Sequence, residues 1–295
     1  MTQAFFNPDN PEIRTRETHT NEVCEVAKFI SYNLGLNTSL VGAGAMGHDL
    51  GHGPGSHTME QALGELGVRF RHERFGPIIA SFIEREGDGL HLSQTTLRVM
   101  YEHRRDGKLV VDETISQESS LVMFADKIAS IIGDISDLQT MERLSQKHCD
   151  FINALLPGEH QDRLNQCING LIRESCDAGR VSFSESETAK NFSQVRKLIV
   201  NEYHDSFTLR SLVEGIKMVY DDMDKIFQLQ NYDKTILIAL MTDAEFTEVS
   251  NISYQRRLTF DDLYDFGLFR IISEGFLEKQ TYNNLDRQIH ELVYQ

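Results

Sequence analysis

The chain has 295 residues, 40% hydrophobic and 25% charged, which excludes collagen-like, low-complexity and wholly disordered classes and allows one large or two small domains. With 29 basic against 45 acidic residues the formal charge is −16 and the pI about 5.1. Bulk charge therefore does not hold the chain stably on a nucleic acid or an anionic membrane, and a small anionic ligand needs a local pocket or a metal ion. No run approaches the roughly 18 apolar residues of a membrane span. The opening MTQAFFNPDNPEIRTRET lacks the basic and apolar regions of a secretory signal, so the cytoplasm is the expected location and no membrane partner is expected. Cys24, Cys149, Cys167 and Cys176 lie far apart with no C-x-x-C pair, and reduced, mostly buried thiols are expected.

Along the chain, Val23, Val26, Ala27, Ile30 and Leu34 predict one helical stripe, with Gly35 placed to end it. A second helix is expected over about Ser39–Leu50. The breaker cluster GHGPGSH then turns the chain before a stripe begins at Met59, Ala62, Leu63 and Leu66. Residues 118–133, ESSLVMFADKIASIIG, read as a strongly apolar helix carrying one Asp. Leu156–Glu159 is the one soft boundary, dividing residues 1–156 from 157–295, and the polar stretch 177–190 reads as a surface loop. After it, Phe192, Val195, Leu198 and Ile199, then Leu212, Ile216, Val219 and Tyr220, recur at three- and four-residue steps. No proline follows Pro157, so the second half reads as long helices. Strand-like alternation is scarce throughout.

Seven of the eleven histidines precede residue 104. His48-Asp49 stands in GAMGHDLGHGPGSH, with His19 upstream and Asp126 downstream in FADKIAS. Imidazoles and carboxylates together suit a divalent transition metal, and three or four of them leave coordination positions open. Adjacent helical residues diverge by about 100°, so His48 and Asp49 share an ion only if it sits between them. A lone histidine such as His19 is more often an ordinary half-buried residue than a ligand. Asp126 either keeps its head in solvent at the helix edge or, if buried, needs a cation or strong donors.

Together these residues resemble the H…HD…D signature of the HD-domain metal-dependent phosphohydrolases. The flanking segments narrow the resemblance. RTRETHTNEVCEVA, HDLGHGPGSHTMEQAL, LHLSQTTL and ESSLVMFADKIASIIGDISDL are similar to the corresponding segments of the deoxynucleoside triphosphate triphosphohydrolases, dGTPase-like enzymes. The resemblance covers about residues 2–140. It implies an all-α fold, an HD-domain helical bundle over residues 1–156, with additional C-terminal helices over 157–295 packed on it or continuous with it. It also implies cleavage of a dNTP between the 5′ oxygen and the α-phosphorus, releasing deoxynucleoside and inorganic triphosphate.

Residue by residue, His19, His48, Asp49 and Asp126 match the metal ligands, for Mn, Mg, Fe or Co. His57 and Glu60 match a catalytic pair whose spacing puts both on one helix face. His52 and His72 match histidines near the phosphates, Arg16 an arginine at the metal site, Lys127 a weaker phosphate position, and Gln3 a glutamine of nucleoside recognition. Gly133 stands where the family has a histidine, with Asp134 and Asp137 retained. Tyr203 and Tyr220 read as core or surface residues. The sequence begins close to the family's T-Q-V-F-like segment, without the upstream basic stretch. A compact member follows, or contacts supplied by a neighbouring subunit, and a homo-oligomer is expected. Two other readings stay open: an HD-type nucleotidase acting on deoxynucleoside monophosphates, and a catalytically idle dNTP-binding regulatory subunit.

Overall fold

Thr15 opens the first helix by accepting the Thr18 N–H on its hydroxyl, and α1 (Arg16–Leu34) closes at Gly35 in the left-handed conformation, φ +68°. The structure, a computed structural model, describes residues 3, 10, 12–103, 114–203, 207–263 and 266–295, and no β-strand occurs among them. The fold is all-α. Asn37 caps α2 (Thr38–Gly47), which stops three residues short of the expected end. The cause is steric: a Cβ on Gly51 would collide with the His72 carbonyl and the Gly76 nitrogen, so the chain turns tightly here against the helix that begins at His72.

α3 (His57–Glu65) and α4 (His72–Ile78) follow, the latter running into a π-helical turn at Ile79–Ile83 just after Pro77. Next come α5 (Gln94–Glu102), α6 (Gln117–Thr140), α7 (Gln146–Leu155), α8 (His160–Ala178) and α9 (Glu187–Tyr203). The chain continues as α10 (Phe207–Lys225), α11 (Lys234–Ala239), α12 (Asp243–Gln255), α13 (Gly267–Glu274) and α14 (Tyr282–Tyr294). The stretch 177–190 differs from the expected surface loop. α8 enters it and α9 takes its end, while Val181 and Phe183 between them are buried. Its polar backbone is satisfied by Glu174, whose carboxylate accepts the N–H groups of Ser184, Glu185 and Ser186 and the Ser182 hydroxyl. Cys24 and Cys167 are buried, Cys149 is half-buried and Cys176 exposed, all as free thiols.

Apolar stripes close two cores. One joins α1, α2 and α6 to α7, α8 and α9 through Val23, Ile30, Phe124, Ile128, Ile152, Leu171 and Phe192. The other joins α3 and α4 to α10, α11, α12 and α14 through Met59, Leu63, Phe75, Ile216, Phe246 and Ile289. Each fully buried side chain of this kind contributes about 1.5–3 kcal/mol. α5 faces both cores, with Val99 in the first and Leu97, Met100 and Tyr101 in the second. Both cores draw on residues from either side of position 157.

α6 carries Asp126 and is fixed from the segment before α1. The Arg14 guanidinium reaches Asp134 at 2.8 Å, Asp137 at 3.1 Å and the carbonyls of Ala129 and Ser130. It lies directly over Gly133, where any Cβ would collide with it. The side chain missing at 133 is thus replaced by Arg14, and Asp134 and Asp137 are its acceptors.

Candidate active site

Four elements deliver the expected metal ligands to one point. α1 supplies His19, the C-terminus of α2 and the turn after it supply His48 and Asp49, and α6 supplies Asp126. His19 Nε2 lies 3.2 Å from Asp126 Oδ1 and 3.8 Å from Asp49 Oδ2, and His48 Nε2 lies 3.4 Å from Asp49 Oδ1 and 3.6 Å from Asp126 Oδ1. His48 Nδ1–H donates to the Ala45 carbonyl at 2.6 Å, which fixes the tautomer and turns the Nε2 lone pair inward. That Nε2 is buried without a hydrogen-bond partner. His19, His48 and Asp126 can each offer a donor atom within 4.8 Å of the others, a set that fits a divalent ion.

The electrostatics ask for a cation. Burial opposes charge on His48, yet Asp49 and Asp126 raise its imidazole to about 9. Burial likewise would raise both carboxyls, but the surrounding histidines, and Arg16 in the case of Asp49, hold them well below the usual carboxylate range. A divalent ion would supply the positive charge that this pair of carboxylates otherwise draws from an imidazole.

A second group adjoins the first. The Glu60 carboxylate bridges two histidines, Oε1 at 2.6 Å from His72 Nδ1 and Oε2 at 3.4 Å from His57 Nδ1. Burial would raise Glu60, but His57 and His72 hold it well below its ordinary value, so it is ionised. His52 stacks on His72, with ring centroids 3.7 Å apart, and reaches Asp49 Oδ1 at 3.2 Å through Nε2. Burial drives His52 down to about 3 and His72 well below its usual value, leaving both rings neutral. His57 is 60% exposed and, with Glu60, lines a cavity of about 660 Å³ whose wall includes Gln61, Arg69, Phe70 and Arg71.

Arg16 donates to Asp49 Oδ2 at 3.3 Å and to the Ser56 hydroxyl at 2.6 Å, and its Nε is buried without a partner. Gln3 Nε2 donates to Asp49 Oδ2 at 2.9 Å. Lys127 is buried on α6, leaving the helix about 100° away from Asp126. Tyr203 is tied to His148 at 2.6 Å, away from the site, and Tyr220 packs on the second core.

His103 is the site residue that sequence reasoning missed. It caps α5 with its ring 5.4 Å from His48 and 5.5 Å from His72. Six of the seven early histidines thus form one connected set of rings, and only His91, exposed beside Asp88, stands apart. The clustering of histidines before residue 104 was the signal; no motif singled out His103.

The HD domain family matches residues 16–131. A deoxyguanosinetriphosphate triphosphohydrolase-like protein of Caldanaerobacter subterraneus subsp. tengcongensis is 31% identical over 236 residues, 76% of this chain and 68% of the relative. The chain belongs to the HD-domain, dGTPase-like family. A similarly described protein of Clostridium tetani is 30% identical over 240 residues, 78% of this chain and 66% of the relative, and one of Clostridium perfringens (strain SM101) is 32% identical over 211 residues, 69% and 61%. The chain therefore spans about two thirds of these relatives' length. Membership makes it an HD-type phosphohydrolase, and its His/Asp groups are of the kind that hold a divalent metal. Among the described residues no helix is long and apolar enough to cross a membrane.

Proposed function

We propose that the chain hydrolyses deoxynucleoside triphosphates to deoxynucleoside and inorganic triphosphate. The observation that carries this reading is the pairing of the His19/His48/Asp49/Asp126 cluster, buried except at the partly exposed Asp126, with the His57–Glu60–His72 bridge beside it. The relatives' description as dGTPase-like supports the substrate class. A divalent ion held by the cluster would acidify water and neutralise phosphate charge.

The remaining roles belong to side chains. Glu60 holds His57 through Nδ1, so Nε2 is the nitrogen that passes a proton to the leaving 5′ oxygen. Arg16, already anchored on Asp49 and Ser56, has its buried Nε to offer to a phosphate oxygen. His52 and His72 present neutral rings beside the phosphates, Lys127 supplies charge from α6, and Gln3 sets Asp49. Arg69 and Arg71 in the neighbouring cavity suit an anionic ligand. We further place the enzyme in the cytoplasm, acting as one continuous folding unit. Phe29, Tyr32 and Met46, exposed on the mutually packed α1 and α2, support a homo-oligomer.

The test is incubation of the protein with each of the four dNTPs and Mn²⁺ or Mg²⁺, with products resolved by ion-exchange chromatography. Deoxynucleoside with tripolyphosphate is the expected outcome. Pyrophosphate or orthophosphate as first product would overturn it, and turnover of deoxynucleoside monophosphates alone would put a nucleotidase in its place.

A further inference from the structure

His57 opens α3 directly after the turn 53–56, and that turn is held from the far end of the chain. Within it the Ser56 N–H donates to the Gly53 carbonyl at 3.0 Å. Ser56 itself stands at φ +52° and ψ −120°, a positive-φ conformation that residues other than glycine rarely adopt. Such a backbone persists where its surroundings over-determine it. Here the surroundings come from the C-terminal half. A Cβ on Gly53 would collide with Ala239 at the end of α11, and one on Gly55, at φ +69°, with Leu212 of α10. The polar tie is Asp243, the first residue of α12 and 4% exposed, whose Oδ1 accepts the Gly55 N–H at 3.0 Å across 188 positions of sequence. α12 is capped by the reciprocal pair Thr242 and Glu245, so the Asp243 carboxylate is not taken up by its own helix end. On the other side of the turn the Ser56 hydroxyl accepts from Arg16 at 2.6 Å. Glu60 reaches His57 Nδ1 at 3.4 Å and so sets the rotation of the ring, while the turn sets the point from which the ring departs.

We propose that Asp243 is a positioning residue of the reaction: by holding the Gly55 N–H it fixes the turn that places the His57 imidazole for proton transfer to the leaving 5′ oxygen. The proposal rests on the general-acid reading of His57. It adds to the site a residue of the C-terminal half, outside the residues 16–131 that the HD domain family matches. Asp243 acts through His57 and touches no reacting atom, so its effect belongs to the rate of the chemical step and not to metal binding or to substrate affinity.

Hydrogen exchange read by mass spectrometry, together with steady-state kinetics, tests this on the full chain. In Asp243→Ala the amides of residues 53–58 should exchange faster than in wild type, with protection of α1 and α6 unchanged. Asp243→Asn keeps an acceptor oxygen for the Gly55 N–H and should exchange as wild type does. With Mn²⁺ and the dNTP turned over fastest, Asp243→Ala should lower kcat by about 10²-fold, the cost of a misplacement of about 1 Å. KM and bound manganese should not change, and Asp243→Asn should stay close to wild type. In a His57→Ala background Asp243→Ala should cost nothing further, which separates positioning of His57 from general weakening of the fold. Wild-type exchange in Asp243→Ala overturns the proposal. So does an Asp243→Asn as slow as Asp243→Ala, or a second loss of the same size in the His57→Ala background. Failure of the underlying reading looks different: if wild type turns over no dNTP, the exchange pattern alone decides. Faster exchange of 53–58 in Asp243→Ala and not in Asp243→Asn then upholds the tie to the turn, and equal exchange in all three chains overturns it.

Discussion

His48 and Asp49 meet because one caps the C-terminus of α2 and the other follows it in the tight turn that Gly51 permits. Replacing both with alanine should abolish bound metal and hydrolysis together, read by elemental analysis and by product release; full activity without them contradicts a metal-dependent site. His57 acts at a different level. Its replacement by alanine should leave metal content unchanged and lower kcat by about 10²–10⁴-fold, the usual contribution of a general acid; an unchanged kcat refutes the assignment. The residues of both groups were legible because each sits in a short motif with fixed neighbours. His103 was not, since its only local mark is a contact with the Met100 carbonyl, and its partners His48 and His72 lie 55 and 31 positions back in the sequence. The hidden roles of Arg14 and Gly133 have the same origin, since a guanidinium filling the place of a side chain 119 positions away leaves no trace in spacing.

At the scale of elements, helices with clear punctuation were read closely. Gly35 ends α1, and the apolar run 118–133 lies within α6. Boundaries set by tertiary contact were not: α2 stops early against α4, and α9 starts inside the polar stretch, where Glu174 gathers the N–H groups of Ser184, Glu185 and Ser186 just before it. Burial alone would raise Glu174, but those N–H groups lower it from 4.5 to about 2. A lowered folded-state value means that the stabilisation is complete above pH 4.5 and is lost as pH falls toward about 2. Glu174→Gln should therefore cost about 1 kcal/mol at neutral pH, by urea denaturation, and the gap to wild type should narrow as pH is lowered from 4.5. A gap independent of pH would show that the carboxylate charge is not involved. In α6, Gly133→Ala should destabilise by about 1–3 kcal/mol through its collision with Arg14. Combined with Arg14→Ala it should cost less than the sum of the two single changes, because the collision is then gone. Strict additivity would separate the two residues.

Across the whole molecule, the site draws on both cores. α1, α2 and α6 come from one, α3 and α4 from the other, and α5 faces both while ending at His103. Glu102 beside it accepts from Ser119 of α6 and Tyr294 of α14, tying those helices to the same end of α5. A metal bound only by the folded chain adds stability by mass action, about 2.7 kcal/mol at a hundredfold excess over its Kd. Chelation should lower Tm by several degrees and re-addition of Mn²⁺ restore it, whereas the His48→Ala/Asp49→Ala chain should not respond. An equal response in that variant would place the stabilising ion elsewhere. The all-α architecture was legible from periodicity and from the resemblance; the sharing of α5 between two cores was not, because it depends on which face of a nine-residue helix meets which neighbour.

The most direct measurement of the central claim is the position of bond cleavage. Hydrolysis of a dNTP in water enriched in ¹⁸O, with products analysed by mass spectrometry, should place one ¹⁸O atom in the tripolyphosphate and none in the deoxynucleoside, because attack falls on the α-phosphorus and the 5′ oxygen leaves with the sugar. Label in the deoxynucleoside, or label in orthophosphate released as the first product, would contradict the account.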